Sequence, residues 1–194
     1  MVPPYFGPIS YWKEIVNSNI IWDVHQNYIK QTYRNRTFIH SANGIQKLTI
    51  PINHSKIKFS MMDAEIDNKI GWQKNHWRSI QSAYSSSPFF EFYKDSLEEV
   101  YIKKYKNLVK FNFELIKLVL EWLDIELKSE LSKEYKPHYN KTLDLRKNIE
   151  NKRFSKIENK TYTQVFSCKN GFINDLSIID LIFNEGPNSF SYLK

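Results

Sequence analysis

Thr37-Phe38-Ile39-His40-Ser41-Ala42-Asn43-Gly44-Ile45-Gln46-Lys47-Leu48-Thr49-Ile50-Pro51 is the stretch on which the fold turns. Asn-Gly suits the two positive-φ positions of a type I′ turn, so the stretch predicts an antiparallel hairpin. With the turn centred there, Ile39 faces Leu48 and Thr37 faces Ile50, and these four share one side. Phe38, His40, Lys47 and Thr49 share the other. Pro51 has no amide proton to give a ladder, so the second strand ends there or lies at an edge.

Upstream, Ile20-Ile21-Trp22-Asp23-Val24 is a short strand candidate rich in β-formers. Before it, Ile9, Trp12, Ile15 and Val16 form a helical stripe over residues 9–17, with Pro8 at a position that suits a first turn. Downstream, residues 57–66 form a weaker strand candidate. Trp77, Ile80, Gln81 and Tyr84 are spaced as a helix, which Ser85-Ser86-Ser87-Pro88 stops. Ser96-Leu97-Glu98-Glu99 has the capping-box pattern of a helix start. Leu108, Phe111, Leu115, Leu118, Val119 and Trp122 mark a long amphipathic helix. Ser177-Ile178-Ile179-Asp180 is a second capping-box pattern, and Gly186-Pro187 closes the helix it opens. The expected fold class is therefore α/β: a single mixed domain over residues 1–194, with a β-sheet that includes the Asn-Gly hairpin and several helices packed on it.

The composition agrees. A chain of 194 residues with 41% hydrophobic and 25% charged content has the length and make-up of one globular domain. The 15% aromatic content is high, and large rings suit both cores and ligand pockets. The lone Cys168 cannot form an internal disulfide. Met1-Val2-Pro3-Pro4-Tyr5 has neither a basic nor an apolar leader region, and charges interrupt the apolar run from Leu108 to Leu127. The expectation is a cytoplasmic chain with no membrane span. The net charge of +7 comes from lysines scattered along the chain. No zinc-finger spacing, RNP-like motif or basic stripe accompanies it, so no nucleic-acid partner is expected.

Three segments could carry chemistry. Tyr28-Ile29-Lys30-Gln31-Thr32-Tyr33-Arg34-Asn35-Arg36 is the densest polar cluster. If its end is extended, Arg34 and Arg36 point to one face, and paired guanidiniums chelate phosphate or carboxylate. The alternative is that both anchor the domain's own carboxylates. Trp72-Gln73-Lys74-Asn75-His76-Trp77-Arg78-Ser79, followed by Tyr84, offers His76 as a general acid or base beside an aromatic wall; its plainer role is a hydrogen bond at a helix surface. Glu91 lies among Phe89, Phe90, Phe92 and Tyr93, where a carboxyl can have its pKa raised, though from a helix start it can equally face solvent. Asp144, Arg146 and Lys152 form a sparse polar set without interpretable spacing. There is no Gly-rich phosphate loop, no Gly-x-Ser-x-Gly elbow and no metal-ligand spacing, so no metal is expected and no cofactor can be named. Cys168 reads better as a small buried hydrophobe than as a nucleophile.

The sequence resembles the WbqC-like protein family through motifs in collinear order along nearly the whole chain. They begin with Tyr5-Phe6-Gly7-Pro8-Ile9 and Tyr28-x-Lys30-Gln31-x-Tyr33-Arg34-Asn35-Arg36. Ala42-Asn43-Gly44, Leu48-Thr49-Ile50-Pro51, Trp72-x-x-x-His76-Trp77-Arg78-Ser79 and Ala83-Tyr84-x-x-Ser87-Pro88-Phe89-Phe90-Glu91 continue them. Tyr162-x-Gln164-Val165-Phe166, Gly171-Phe172 and the run from Leu176 to Gly186 complete the set. The resemblance implies a role in bacterial surface-polysaccharide (O-antigen type) biosynthesis, with glycine or aminoacyl transfer to a sugar as the suggested reaction. On that implication His76 and Glu91 are the catalytic candidates. Tyr5, Tyr28, Lys30, Arg34, Asn35, Arg36, Trp72, Arg78 and Tyr84 are the candidates for binding a small or sugar-linked substrate that carries phosphate or carboxylate. A non-catalytic nucleotide-sugar or carbohydrate-binding module and a scaffold for polysaccharide enzymes remain the alternatives. Oligomeric state is left open.

Overall fold

The computed structural model describes residues 1–53, 58–138, 143–149 and 159–194. Its chain order begins with α1 (Ile9–Val16), β1 (Ile20–Trp22), β2 (Arg36–Ser41) and β3 (Gly44–Thr49). Then come α2 (Trp72–Tyr84), α3 (Phe90–Ile102), α4 (Leu108–Trp122) and β4 (Ser129–Leu131), and last α5 (Ser167–Asn170), α6 (Ile178–Glu185) and α7 (Ser189–Leu193). The mixed α/β class holds. Among the described residues the strands form two separate pairs: β2 with β3 antiparallel, and β1 with β4 parallel.

The hairpin forms with a different centre from the one its Asn-Gly predicts. Ser41 pairs with Gly44, Ile39 with Gln46, Thr37 with Leu48 and Arg36 with Thr49, so Ala42 and Asn43 make the turn. Neither of them takes a positive φ, whereas a type I′ turn needs both to; the positive φ, +93°, falls on Gly44 just after them. Ser41 accounts for the choice. Its hydroxyl accepts from the Asn43 amide (3.3 Å) and donates to the Gly44 carbonyl (2.9 Å), closing the turn one residue early. The partner of each β2 residue thus slips by two. Because strand side chains alternate with period two, the slip leaves the faces unchanged: Thr37, Ile39, Leu48 and Ile50 are all buried. The opposite side is not simply solvated, since His40 is fully buried there and the Ser177 amide bonds the Phe38 carbonyl (2.9 Å).

The first hairpin face packs on α2, which lies beside α3, which in turn packs on α4; α6 sits against α3 and β2. The α1 helix starts after Pro8 as expected and buries Ile9, Trp12 and Ile15. The N-terminal segment threads the middle of the domain: the Tyr5 amide bonds the Tyr33 carbonyl (2.8 Å), and the Gly7 carbonyl accepts from Ile178 (3.0 Å). Three local expectations change. Ser96 is not a helix start but lies inside α3, which begins at Phe90, where the ring packs on Trp77 and Phe183. Its hydroxyl donates to the Tyr93 carbonyl (3.0 Å) and accepts from the Trp122 indole (3.1 Å). Residues 58–66 make isolated bridges to Asn27 and Ile52 rather than a strand, and the start of that candidate at Ile57 lies outside the described residues. Ser177 does stand at the start of α6, but its side chain makes no cap, and Asp180 turns inward rather than back to the Ser177 amide. Among the described residues no helix is long and apolar enough to cross a membrane.

Candidate functional site

The sequence candidates fall into three places. The first begins where β1 ends. Asp23 turns the chain by accepting from the amides of His25 (3.1 Å) and Gln26 (3.3 Å), and its other oxygen takes Arg146 Nη1 at 2.7 Å. Asp144 holds the same guanidinium through Nε (2.8 Å) and Nη2 (2.5 Å), and the Lys136 and Pro137 carbonyls also accept from it. These hydrogen bonds keep the Asp144 carboxyl below its ordinary range. Arg34, fully buried, donates to Gln26 Oε1 (2.8 Å) and Thr32 Oγ1 (3.1 Å). Both guanidiniums line an open cleft of about 550 Å³ together with Gln26, Asn27, Tyr135 and His138. The Tyr135 ring lies 5.7 Å from the Arg146 guanidinium carbon, in cation–π range.

Arg34 therefore meets Arg146 across this cleft, while Arg36 stands apart from its lining. Residues 32–36 are turned, with the Asn35 and Arg36 amides both on the Thr32 carbonyl, so strand alternation does not place the two arginines on one face. Half-buried Tyr28 stacks on Phe59 at 5.2 Å; burial pushes its phenol up to about 12 against the opposing pull of Arg34 and Arg36. Asn35 is buried and donates to the Ile50 carbonyl (2.8 Å), and Lys30 is exposed.

The second place is the interior face of α2. His76 is buried, with Nδ1 2.8 Å from the Tyr5 hydroxyl, which lies 2.5 Å from the Tyr101 hydroxyl. Trp72 stands edge-on to the imidazole at 5.1 Å, and the Thr49 carbonyl faces it. Desolvation pushes the imidazole down to about 4, only partly offset by that carbonyl, so it is neutral near pH 7. A neutral imidazole has one proton. With that proton on the nitrogen facing Thr49, Nδ1 accepts from Tyr5, and Tyr5 from Tyr101. The imidazole thus orders three aromatic side chains from inside. Trp72 and Arg78 line a separate surface groove between α2 and α3. The structure does not bring His76 and Arg34 into one cavity.

The third place is sealed. Asp180 is fully buried and accepts from the hydroxyls of Tyr84 (2.8 Å) and Tyr162 (2.6 Å) and from the Gln164 amide (2.9 Å). Burial raises its carboxyl, and these three donors oppose the rise. Tyr84 also accepts from the His40 amide (3.3 Å), tying β2 to α6. Glu91, by contrast, extends from the first turn of α3 into solvent, ion-paired with Lys94.

Sequence reasoning missed Gln26, Asp23 and Asp180 and left Asp144 and Arg146 without a role. Asp180 was visible only as a helix-capping residue, and the Asp23–Arg146 ion pair that joins the two sides of the cleft is 123 positions apart, which no local spacing reports. Cys168, expected to be buried, is exposed. Among the described residues no group of three or more His, Cys, Asp or Glu side chains is placed to hold a metal ion.

The fold is thus a mixed α/β domain with an arginine-lined cleft that opens beside a tyrosine ring. The chain belongs to the WbqC-like protein family, whose model matches residues 3–156 and 139–192. It is also similar to the uncharacterized protein Rv1507c of Mycobacterium tuberculosis (strain ATCC 25618 / H37Rv), at 26% identity over 98% of this chain and 91% of that protein. No solved structure matches it.

Proposed function

We propose that this protein is a transferase of bacterial surface-polysaccharide biosynthesis that carries an acyl or aminoacyl group to a sugar-linked substrate. Family membership supports the setting, and one observation carries the site: two buried guanidiniums, Arg34 and Arg146, share the lining of one open cleft with the amides of Gln26 and Asn27. Two guanidinium charges favour an anion in the cleft, the exposed Asn27 amide suits a sugar hydroxyl, and the exposed Tyr135 ring offers a face for a sugar. In this reading the buried charge of Arg34 draws the anionic group into the cleft from beneath its floor, Arg146 braces the cleft through Asp23 and Asp144, and the exposed His138 of its lining is the group able to take a proton from an attacking amine or hydroxyl. His76 orders Tyr5 and Tyr101 in the core, and neither His76 nor Glu91 has a part in the cleft.

The test is incubation with nucleotide-linked amino sugars and activated aminoacyl or acyl donors, with products read by mass spectrometry. A transferase yields a sugar bearing the new amide or ester, and Tyr135→Ala and His138→Gln, both at exposed positions, lower its rate with the fold retained. Arg34→Lys keeps the charge but not the fork, and is expected to raise KM. Saturable binding without product from any donor class would leave a carbohydrate-binding module instead.

A further inference from the structure

The outer face of α4 and the turn that leads from it into β4 enclose an open groove of about 630 Å³, which shares no lining residue with the Arg34 cleft. Phe113 and Leu120 from the helix and Ile125 and Leu127 from the turn line it with half-buried apolar side chains. Around them stand the exposed carboxylates Glu114, Glu121, Asp124 and Glu126, against one lining cation among the described residues, Lys117, which lies 3.8 Å from Glu121. These charges oppose the helix that bears them. The C-terminal end of a helix carries partial negative charge and favours cations, yet Glu121 lies in the last turn of α4 and Asp124 just beyond it. Asp124 also takes a φ of +54°, a left-handed conformation that favours glycine. At the other end, where a helix favours anions, Lys106 and Lys110 flank the start of α4. Both arrangements work against the isolated chain and in favour of a cationic partner at the groove.

The chain itself carries a surface that matches. Ile70 and Ile102 are 64% and 73% exposed. Their segments are tied together, with Asn68 donating to the Tyr105 carbonyl (2.8 Å) and Gln73 to the Tyr101 carbonyl (2.9 Å). Beside the two isoleucines stand the exposed Lys69, Lys103, Lys104 and Lys106, against Asp67 and the Glu65 that pairs with Lys106 (3.2 Å). An apolar knob with a cationic collar complements an apolar groove with an anionic rim. The 15 residues of α4 span about 22 Å, so a chain's own knob stays a helix length away from its acidic end. We propose that the groove receives the Ile70 and Ile102 knob of a second copy of this chain. Knob and groove are different patches, so the contact is head to tail and leaves a knob and a groove open on every pair. Its area is small, which sets a weak, salt-sensitive association. The proposal does not depend on the transferase reading of the Arg34 cleft.

The experiment is analytical ultracentrifugation of the full chain from micromolar to millimolar concentration, at low and high salt. The expected result is an average mass that rises with concentration past the dimer, since a head-to-tail contact does not close in pairs, and that falls back as salt screens the charges. Glu121→Lys/Glu126→Lys and Lys103→Glu/Lys104→Glu, all at exposed positions, should each weaken association about tenfold or more with unchanged circular dichroism spectra. Mixed in equal amounts, the two variants should associate again, because each then meets a patch of opposite charge. Ile102→Ser alters no charge and should also weaken the assembly about tenfold, which unspecific attraction between charged surfaces would not show. A wild type that stays monomeric at millimolar concentration overturns the proposal. So does association that survives both charge reversals, or a mixture that stays monomeric where the wild type associates.

Discussion

Asp180 and Arg34 are both fully buried charged side chains, and the protein surrounds them in opposite ways. Asp180 sits in a closed shell, with Tyr84, Tyr162 and Gln164 donating to it from three parts of the chain. Arg34 is held by Gln26 and Thr32 yet lines a cleft that opens to solvent. A buried charge must be hydrogen-bonded on every side or carry a high desolvation cost. Where the protein itself completes the shell, the charge fixes the fold. Where a buried charge lies beneath an open cleft, its field reaches the space a ligand can enter.

The largest effect that would test this contrast is Asp180→Ala. It leaves two phenols and an amide without their acceptor, and an orphaned buried donor costs about 1–3 kcal/mol, so urea unfolding should show a loss of about 3–5 kcal/mol. A loss below about 1 kcal/mol would mean that the shell around Asp180 is not what joins α6 to the hairpin.

Next comes acid stability. His76 titrates near 6.5 when unfolded and is pushed down to about 4 when folded, so the unfolded chain binds more protons between those values. Its contribution is complete above pH 6.5 and is lost as the pH falls toward 4, on the order of 3 kcal/mol in all. The wild type should lose stability across that window, and His76→Gln should show a flatter pH profile. Identical slopes would place the imidazole in water.

Gly186→Ala is expected to cost about 1–3 kcal/mol, because the residue has a φ of +55° and an added methyl would meet the Phe89 ring. The smallest stability change belongs to the open side: Tyr135→Ala should shift unfolding by under about 0.5 kcal/mol while weakening ligand binding in the cleft. If it destabilised as much as Asp180→Ala, the cleft would be structural too.

The elements were legible in the sequence because their signals are local. The Asn-Gly turn marked β2 and β3, and helical stripes marked α1, α2 and α4. Even the misplaced turn kept its faces, since a two-residue slip preserves side-chain alternation. The site was only half legible. Arg34 was singled out by polar density, but its companion across the cleft, Arg146, arrives from the far end of the chain with a spacing that means nothing by itself. The Asp180 shell was hidden in the same way, by a capping pattern that fits the helix start while the carboxylate serves the core. His76 and Glu91 show the other limit: residue type suggests chemistry, but burial and hydrogen-bond partners decide whether a side chain can meet a substrate.

The most direct measurement is an NMR titration with UDP-glucose that follows the imidazole resonances of His138, at the cleft mouth, and His40, beside the Asp180 shell. The account predicts a saturable shift at His138 with His40 unmoved. A shift at His40 with His138 unchanged would contradict it.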